Sequence, residues 1–81
     1  MDKNEIQDRV IKVVCDVLNV GRDIVEPDSN FVFDLGAEST QSVQLVAAFE
    51  EEFHIEMDNE AALAVQTVGA AVDFIAEYVS K

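Results

Sequence analysis

The chain has 81 residues, 49% of them hydrophobic, with seventeen acidic residues against five basic and a formal net charge of −12. That length makes one domain, 1–81, with a modest core and a net stability of roughly 3–5 kcal/mol. The charge excludes nucleic acid and anionic membrane surfaces as partners, since both recruit Lys and Arg, and it steers proteins with basic patches towards the chain. Self-repulsion predicts that salt or divalent cations stabilise the fold. A single cysteine, Cys15, excludes an internal disulfide and fits a reducing, cytoplasmic setting. No stretch has the length of a membrane span, and the polar start is not a signal peptide.

Ile6, Val10, Val13, Val14, Val17 and Leu18 recur at helical spacing, which predicts a first helix over residues 4–18. Many are β-branched and lower the intrinsic propensity, but the period outweighs it. Cys15 falls almost opposite this stripe and is expected at the surface. Residues 20–38 then form a long loop, with Gly21, Pro27, Asp28, Ser29, Asn30 and Gly36 as turn formers. Ile24, Val25, Phe31, Val32, Phe33 and Leu35 sit among them, so part of the loop must pack onto the core. Loops of this length in compact domains are usually functional.

A second helix is expected from Ser39 to Phe53, with Val43, Val46, Phe49 and Phe53 on one face and Leu45 beside it. Glu50, Glu51 and Glu52 fall largely on its solvent side near the C-terminal end, where acids oppose the helix dipole. They read as a solvated face or as a docking site. Asp58 or Asn59 can cap a short third helix reaching about Val65, and Thr67 a final helix whose inner face is Val68, Ala71, Val72, Ile75 and Val79. The fold class is all-α: a small four-helix bundle of three longer helices and one short one, with the long loop between the first two.

Catalytic patterns are missing. His54 is predicted at the far end of the helix that Ser39 starts, roughly 20 Å away, and cannot serve Ser39 as a base. There is no Cys/His cluster of the zinc type, and Asp58-Asn59-Glu60 lacks the rest of a calcium loop. Ser39 itself follows a turn and opens a helix, where a serine commonly serves as N-cap. Ser42 stands three places on, so a capping box from Ser39 is incomplete. An anionic group on this hydroxyl would suit a helix N-terminus, while Asp34 and Glu38 beside it suit a modifying enzyme that brings cations.

Phe31-Val32-Phe33-Asp34-Leu35-Gly36-Ala37-Glu38-Ser39 resembles the segment that leads to the prosthetic-group serine of acyl carrier proteins, which usually ends Asp-Leu-Gly-Ala-Asp-Ser-Leu. Val43, Leu45-Val46 and Glu50 to Phe53 are similar to that family's second helix. Thr67-Val68-Gly69 and Ala71 to Ile75 are similar to its last. The resemblance covers nearly the whole chain. It implies that a phosphopantetheinyl transferase attaches 4′-phosphopantetheine from coenzyme A to Ser39. The terminal thiol would then carry acyl groups as thioesters between acyl-transfer or condensing enzymes with basic docking patches. It implies a non-enzymatic, monomeric carrier without a metal site.

By family position, Asp34, Glu38, Thr40, Val43, Ala47, Glu50 and Glu51 are candidates for partner docking. Phe31, Phe49, Met57, Ala62, Val65 and Ala71 are candidates for an acyl cavity or, equally, ordinary core. The departures are Glu38 for the usual Asp, Thr40 for Leu, Gln41 and Gln44 for acids, Ala47 for Met, and Asp58 for Pro. They imply a specialised partner set, and Asp58 a less constrained start to the short helix. The alternatives are an aminoacyl or peptidyl carrier, and an unmodified adaptor on the carrier fold.

Overall fold

The computed structural model describes residues 2–79. Four helices run in chain order: α1 Lys3–Leu18, α2 Ser39–Phe53, α3 Asn59–Leu63 and α4 Val68–Val79, with one 3-10 turn at Arg22–Ile24 in the long loop. α1 packs against both α2 and α4, and α3 packs against α2. The all-α bundle expected from periodicity is the observed fold.

Each helix end has a local cause. Asp2 caps α1 by accepting the Glu5 N–H at 2.9 Å. Asn19 ends it in the left-handed region at φ 56°, a conformation asparagine tolerates better than most residues. Asp58 caps α3, its Oδ1 accepting the N–H groups of Glu60 and Ala61 at 3.0 and 3.3 Å. The Asp58 N–H in turn donates to the Tyr78 hydroxyl of α4 at 3.2 Å. The start of the short helix is therefore tied at two points rather than loosened by the aspartate. α3 stops at Leu63, short of the expected Val65, and closes in a tight turn in which Val65 N–H donates to Ala62 O at 3.2 Å. Thr67 caps α4 as expected, accepting the Ala70 N–H at 3.1 Å.

The best-buried large side chains are Ile6, Val10 and Val14 of α1 and Val68, Val72 and Ile75 of α4. Each is worth about 1.5–3 kcal/mol of burial. Val17 and Val79 are only partly buried on the margin of this seam, and Cys15 is half-buried against the core rather than at the surface.

The long loop is pinned to the start of α4 by backbone hydrogen bonds. Phe31 N–H donates to Gln66 O (2.9 Å), Val68 N–H to Ser29 O (3.0 Å) and Gly69 N–H to Pro27 O (2.6 Å). A Cβ on Gly69 would lie 2.9 Å from that proline oxygen, so this close approach requires a glycine. Ser29, a buried polar side chain, accepts the Glu26 N–H at 2.9 Å. Val25, Phe31 and Ala37 are thereby buried, while Ile24, Val32 and Phe33 stay exposed.

Candidate functional site

Ser39 is exposed and is the first residue of α2. It is not the N-cap. That position belongs to Glu38, which has extended backbone angles (φ −90°, ψ 170°), and the Gln41 side-chain oxygen reaches back to accept the Glu38 N–H at 2.9 Å. Counting from Ser39 put Ser42 in the reciprocating place; the helix starts its count one residue earlier, so Gln41 fills it. Ser42 Oγ–H instead donates to Glu38 O at 3.3 Å, and Ser42 N–H to the same oxygen at 2.9 Å. The Ser39 hydroxyl is thus released from capping. No acid lies within the first turn of α2, but the Glu38 carboxylate at the N-cap pairs with the Gln41 N–H, so the N–H groups of Ser39 and Thr40 are those left to face an anion.

The approach to Ser39 is a built turn. Asp34 Oδ2 accepts the Asn30 N–H at 2.7 Å, and Gly36 takes a positive φ of 73° that only glycine adopts freely. Ala37 N–H donates to Phe31 O at 2.7 Å, which returns the chain to the core before α2 begins. Asp34 therefore has a structural task, although its side chain remains exposed.

The docking candidates on α2 separate into two groups. Thr40, Val43, Ala47 and Glu51 are all exposed and follow one another at helical spacing, so they form a stripe along the helix. Val43 was expected on the inner face but is 58% exposed; it lies at the margin of the stripe, and Leu45, Val46, Phe49 and Phe53 make the inner face. Glu50 is not on the stripe. It is half-buried, and its Oε2 accepts the Met57 N–H at 2.8 Å, holding the connection after α2. Glu52 turns towards α1, where its carboxylate is 3.7 Å from Arg9. The expectation of a solvated face holds for Glu51 alone. His54 is exposed and ends α2 in the left-handed region at φ 55°, at the opposite end of the helix from Ser39.

All six residues proposed for a cavity, Phe31, Phe49, Met57, Ala62, Val65 and Ala71, line one cavity of about 180 Å³ between the loop, α2, α3 and α4. Leu45, Val46, Phe74 and Ile75 complete its apolar wall, and Val32 and Leu63 lie on its exposed side. Sequence reasoning missed Ser42 as a lining residue; its signal is the three-residue step from Ser39, which puts both on neighbouring lines of the helix. A cavity of about 150 Å³ with such walls takes up a benzene molecule. The cavity, whose wall reaches Ser42, is therefore large enough for an apolar group of some six carbons.

A covalently attached phosphate arm fits these residues. The hydroxyl is exposed and unengaged in capping, the adjoining helix turn offers N–H donors with the Glu38 carboxylate beside them at the N-cap, and an apolar cavity opens one helical turn away. Among the described residues, no cluster of three or more His, Cys, Asp or Glu could hold a metal ion. No described helix is long and apolar enough to cross a membrane.

Residues 8–75 match the family described as "Phosphopantetheine attachment site". The chain is also 48% identical over 73 residues to an acyl carrier protein of Picosynechococcus sp., a match covering 90% of each chain. Proteins of this kind carry covalent 4′-phosphopantetheine and are carriers rather than catalysts. On the family match and the relative together, the chain belongs to the acyl carrier proteins.

Proposed function

We propose that Ser39 is the attachment point of the 4′-phosphopantetheine arm and that the adjoining cavity shelters short acyl groups carried on it. The observation that carries this reading is the position of Ser39: an exposed hydroxyl on the first turn of α2, one turn from Ser42 on the cavity wall. The chain supplies the hydroxyl and no base. Loading forms a phosphoester at Ser39 Oγ, releases adenosine 3′,5′-bisphosphate from coenzyme A and passes the hydroxyl proton to the transferase. The arm, when bound, supplies the thiol on which an acyl group is held. The first turn of α2 offers its N–H groups to the phosphate, and the apolar wall excludes water from whatever enters the cavity.

The setting proposed is cytoplasmic, serving fatty acid, lipid-precursor or polyketide-type synthesis through acyl-transfer or condensing enzymes with basic docking patches. The exposed stripe of Thr40, Val43, Ala47 and Glu51, with Glu38 at its head, is the surface proposed for those partners. It lacks the acids and large apolar side chains usual in the family at Gln41, Gln44, Thr40 and Ala47. Affinity depends on a few anchors and charge adds selectivity, so the partner set is proposed to be specialised.

Intact mass tests the attachment. Wild type incubated with coenzyme A, magnesium and its own organism's transferase should gain one phosphopantetheine, and Ser39→Ala should gain none. A wild type that stays unmodified is instead an adaptor. Hexanoyl loading of the arm should raise the thermal midpoint above that of the free-thiol form; equal midpoints would show the chain lying in solvent. Full replacement of a general carrier in fatty acid elongation would overturn the specialised partner set.

A further inference from the structure

The turn leading to Ser39 carries a side chain with no internal task. Phe33 is 88% exposed, beside Val32 at 54%. This exposure is held in place. Asn30 Oδ1 accepts the N–H groups of Val32 and Phe33 at 2.9 and 3.0 Å. Asn30 O accepts those of Asp34 and Leu35 at 2.9 and 3.0 Å, and Asp34 Oδ2 accepts the Asn30 N–H. The ring stands outward on a clamped frame, so a partner that covers it gains apolar burial with little ordering cost.

The charge around the ring specifies the chemistry of that partner. Four of the five basic residues lie within positions 3–22, and positions 23–80 contain thirteen acids with no Lys or Arg. Asp28, Asp34 and Glu38 are all exposed in the segment that holds the turn. A protein covering Phe33 must combine an apolar pocket with a basic rim.

Position then selects among such partners. Bond formation at Ser39 Oγ brings the acting enzyme into contact with Ser39 itself. The Ala37-to-Phe31 hydrogen bond folds the turn back, and Phe33 and Ser39 each lie two residues from one end of it, a reach of about 7 Å apiece. An interface burying about 800 Å² per partner is roughly 30 Å across, so both positions fall within one footprint. Enzymes that work at the far end of an arm have no such need to touch this turn.

We infer that Phe33 is the apolar anchor by which the phosphopantetheinyl transferase grips this chain, in a pocket rimmed by Lys or Arg. The inference rests on the assignment of Ser39 as attachment point. Steady-state loading of the full chain by its own organism's transferase, with coenzyme A and magnesium, tests it on wild type, Phe33→Ser and Phe33→Leu. Phe33→Ser should raise KM for the carrier about tenfold or more with kcat nearly unchanged, and Phe33→Leu should recover most of the loss. Both variants should keep the wild-type thermal midpoint. The KM ratio between wild type and Phe33→Ser should persist at high salt, where wild-type KM itself rises as charge steering is screened. An unchanged KM in Phe33→Ser overturns the inference and leaves the Ser39 assignment standing, whereas a wild type that gains no arm overturns both. A concentration-dependent dimer that Phe33→Ser abolishes while KM stays constant makes a second copy the occupant, and also overturns it.

Discussion

The two ends of α2 have the same backbone and opposite duties. Over its first two turns Ser39, Thr40, Val43 and Gln44 are exposed, and the Gln41 reach-back and the Ser42 bond serve only the helix start. Towards its last turns Phe49 and Phe53 are buried, Glu50 holds the Met57 N–H and Glu52 faces Arg9. The helix is anchored at one end, and the other is left open for the enzyme contact proposed at Ser39. A modified serine in the anchored half would displace core; in the first turn it displaces only water.

Truncation gives the widest separation between the two ends. Phe49→Ala should cost about 3 kcal/mol, towards the lower end for such a change because the ring already borders the cavity. Against a total of roughly 3–5 kcal/mol this leaves the fold marginal at best. Val43→Ser, in the exposed half, should shift stability by no more than about 0.5 kcal/mol. Urea unfolding followed by far-ultraviolet circular dichroism reads both. Comparable losses would show that the first half of the helix is as deeply engaged in the core as the second.

The acidic run sharpens the contrast within three adjacent residues. Glu50→Ala removes the acceptor of the Met57 N–H at a half-buried site and should cost about 1–2 kcal/mol. Glu51→Ala, one residue on and exposed, should leave the melting curve in place within about 0.5 kcal/mol. If partner enzymes read the acidic run, Glu51→Ala should raise their KM at unchanged stability. Equal stability losses in the two variants would dissolve the distinction between the structural and the free carboxylate.

Much of this arrangement could be read from residue spacing, and the rest escaped for identifiable reasons. The helices follow from three-to-four-residue periodicity, and Thr67 announces the start of α4 because its hydroxyl bonds three residues ahead. The six cavity positions followed from likeness to the family, yet their convergence depends on the loop folding back through Gly69 and Pro27, a close approach that no local pattern signals. Val43 was misplaced because spacing gives the angle around a helix but not where the covered surface ends. Glu50 resembled Glu51 in sequence; its partner is seven residues away, beyond the helix end. The Glu38 cap was hidden by Ser39 itself, the better cap by residue type, which the folded chain places one step too far along.

A modest loss is predicted from the structural contact made by the Gln41 side chain in the first turn of α2. Its oxygen accepts the Glu38 N–H, a donor that is exposed and can turn to water when the side chain is removed. Gln41→Ala therefore loses about 0.5–1 kcal/mol, the worth of one such hydrogen bond, partly offset by the higher helix propensity of alanine. For a domain of this size that lowers the thermal midpoint by a few degrees, roughly 4–8 °C per kcal/mol. Loading at Ser39 should continue at a near-normal rate below that midpoint, since the hydroxyl neither gives nor receives the lost bond. A loading rate that collapses while the midpoint barely moves would mean that the cap fixes how Ser39 is presented. The first turn would then be a prepared site rather than merely a free one.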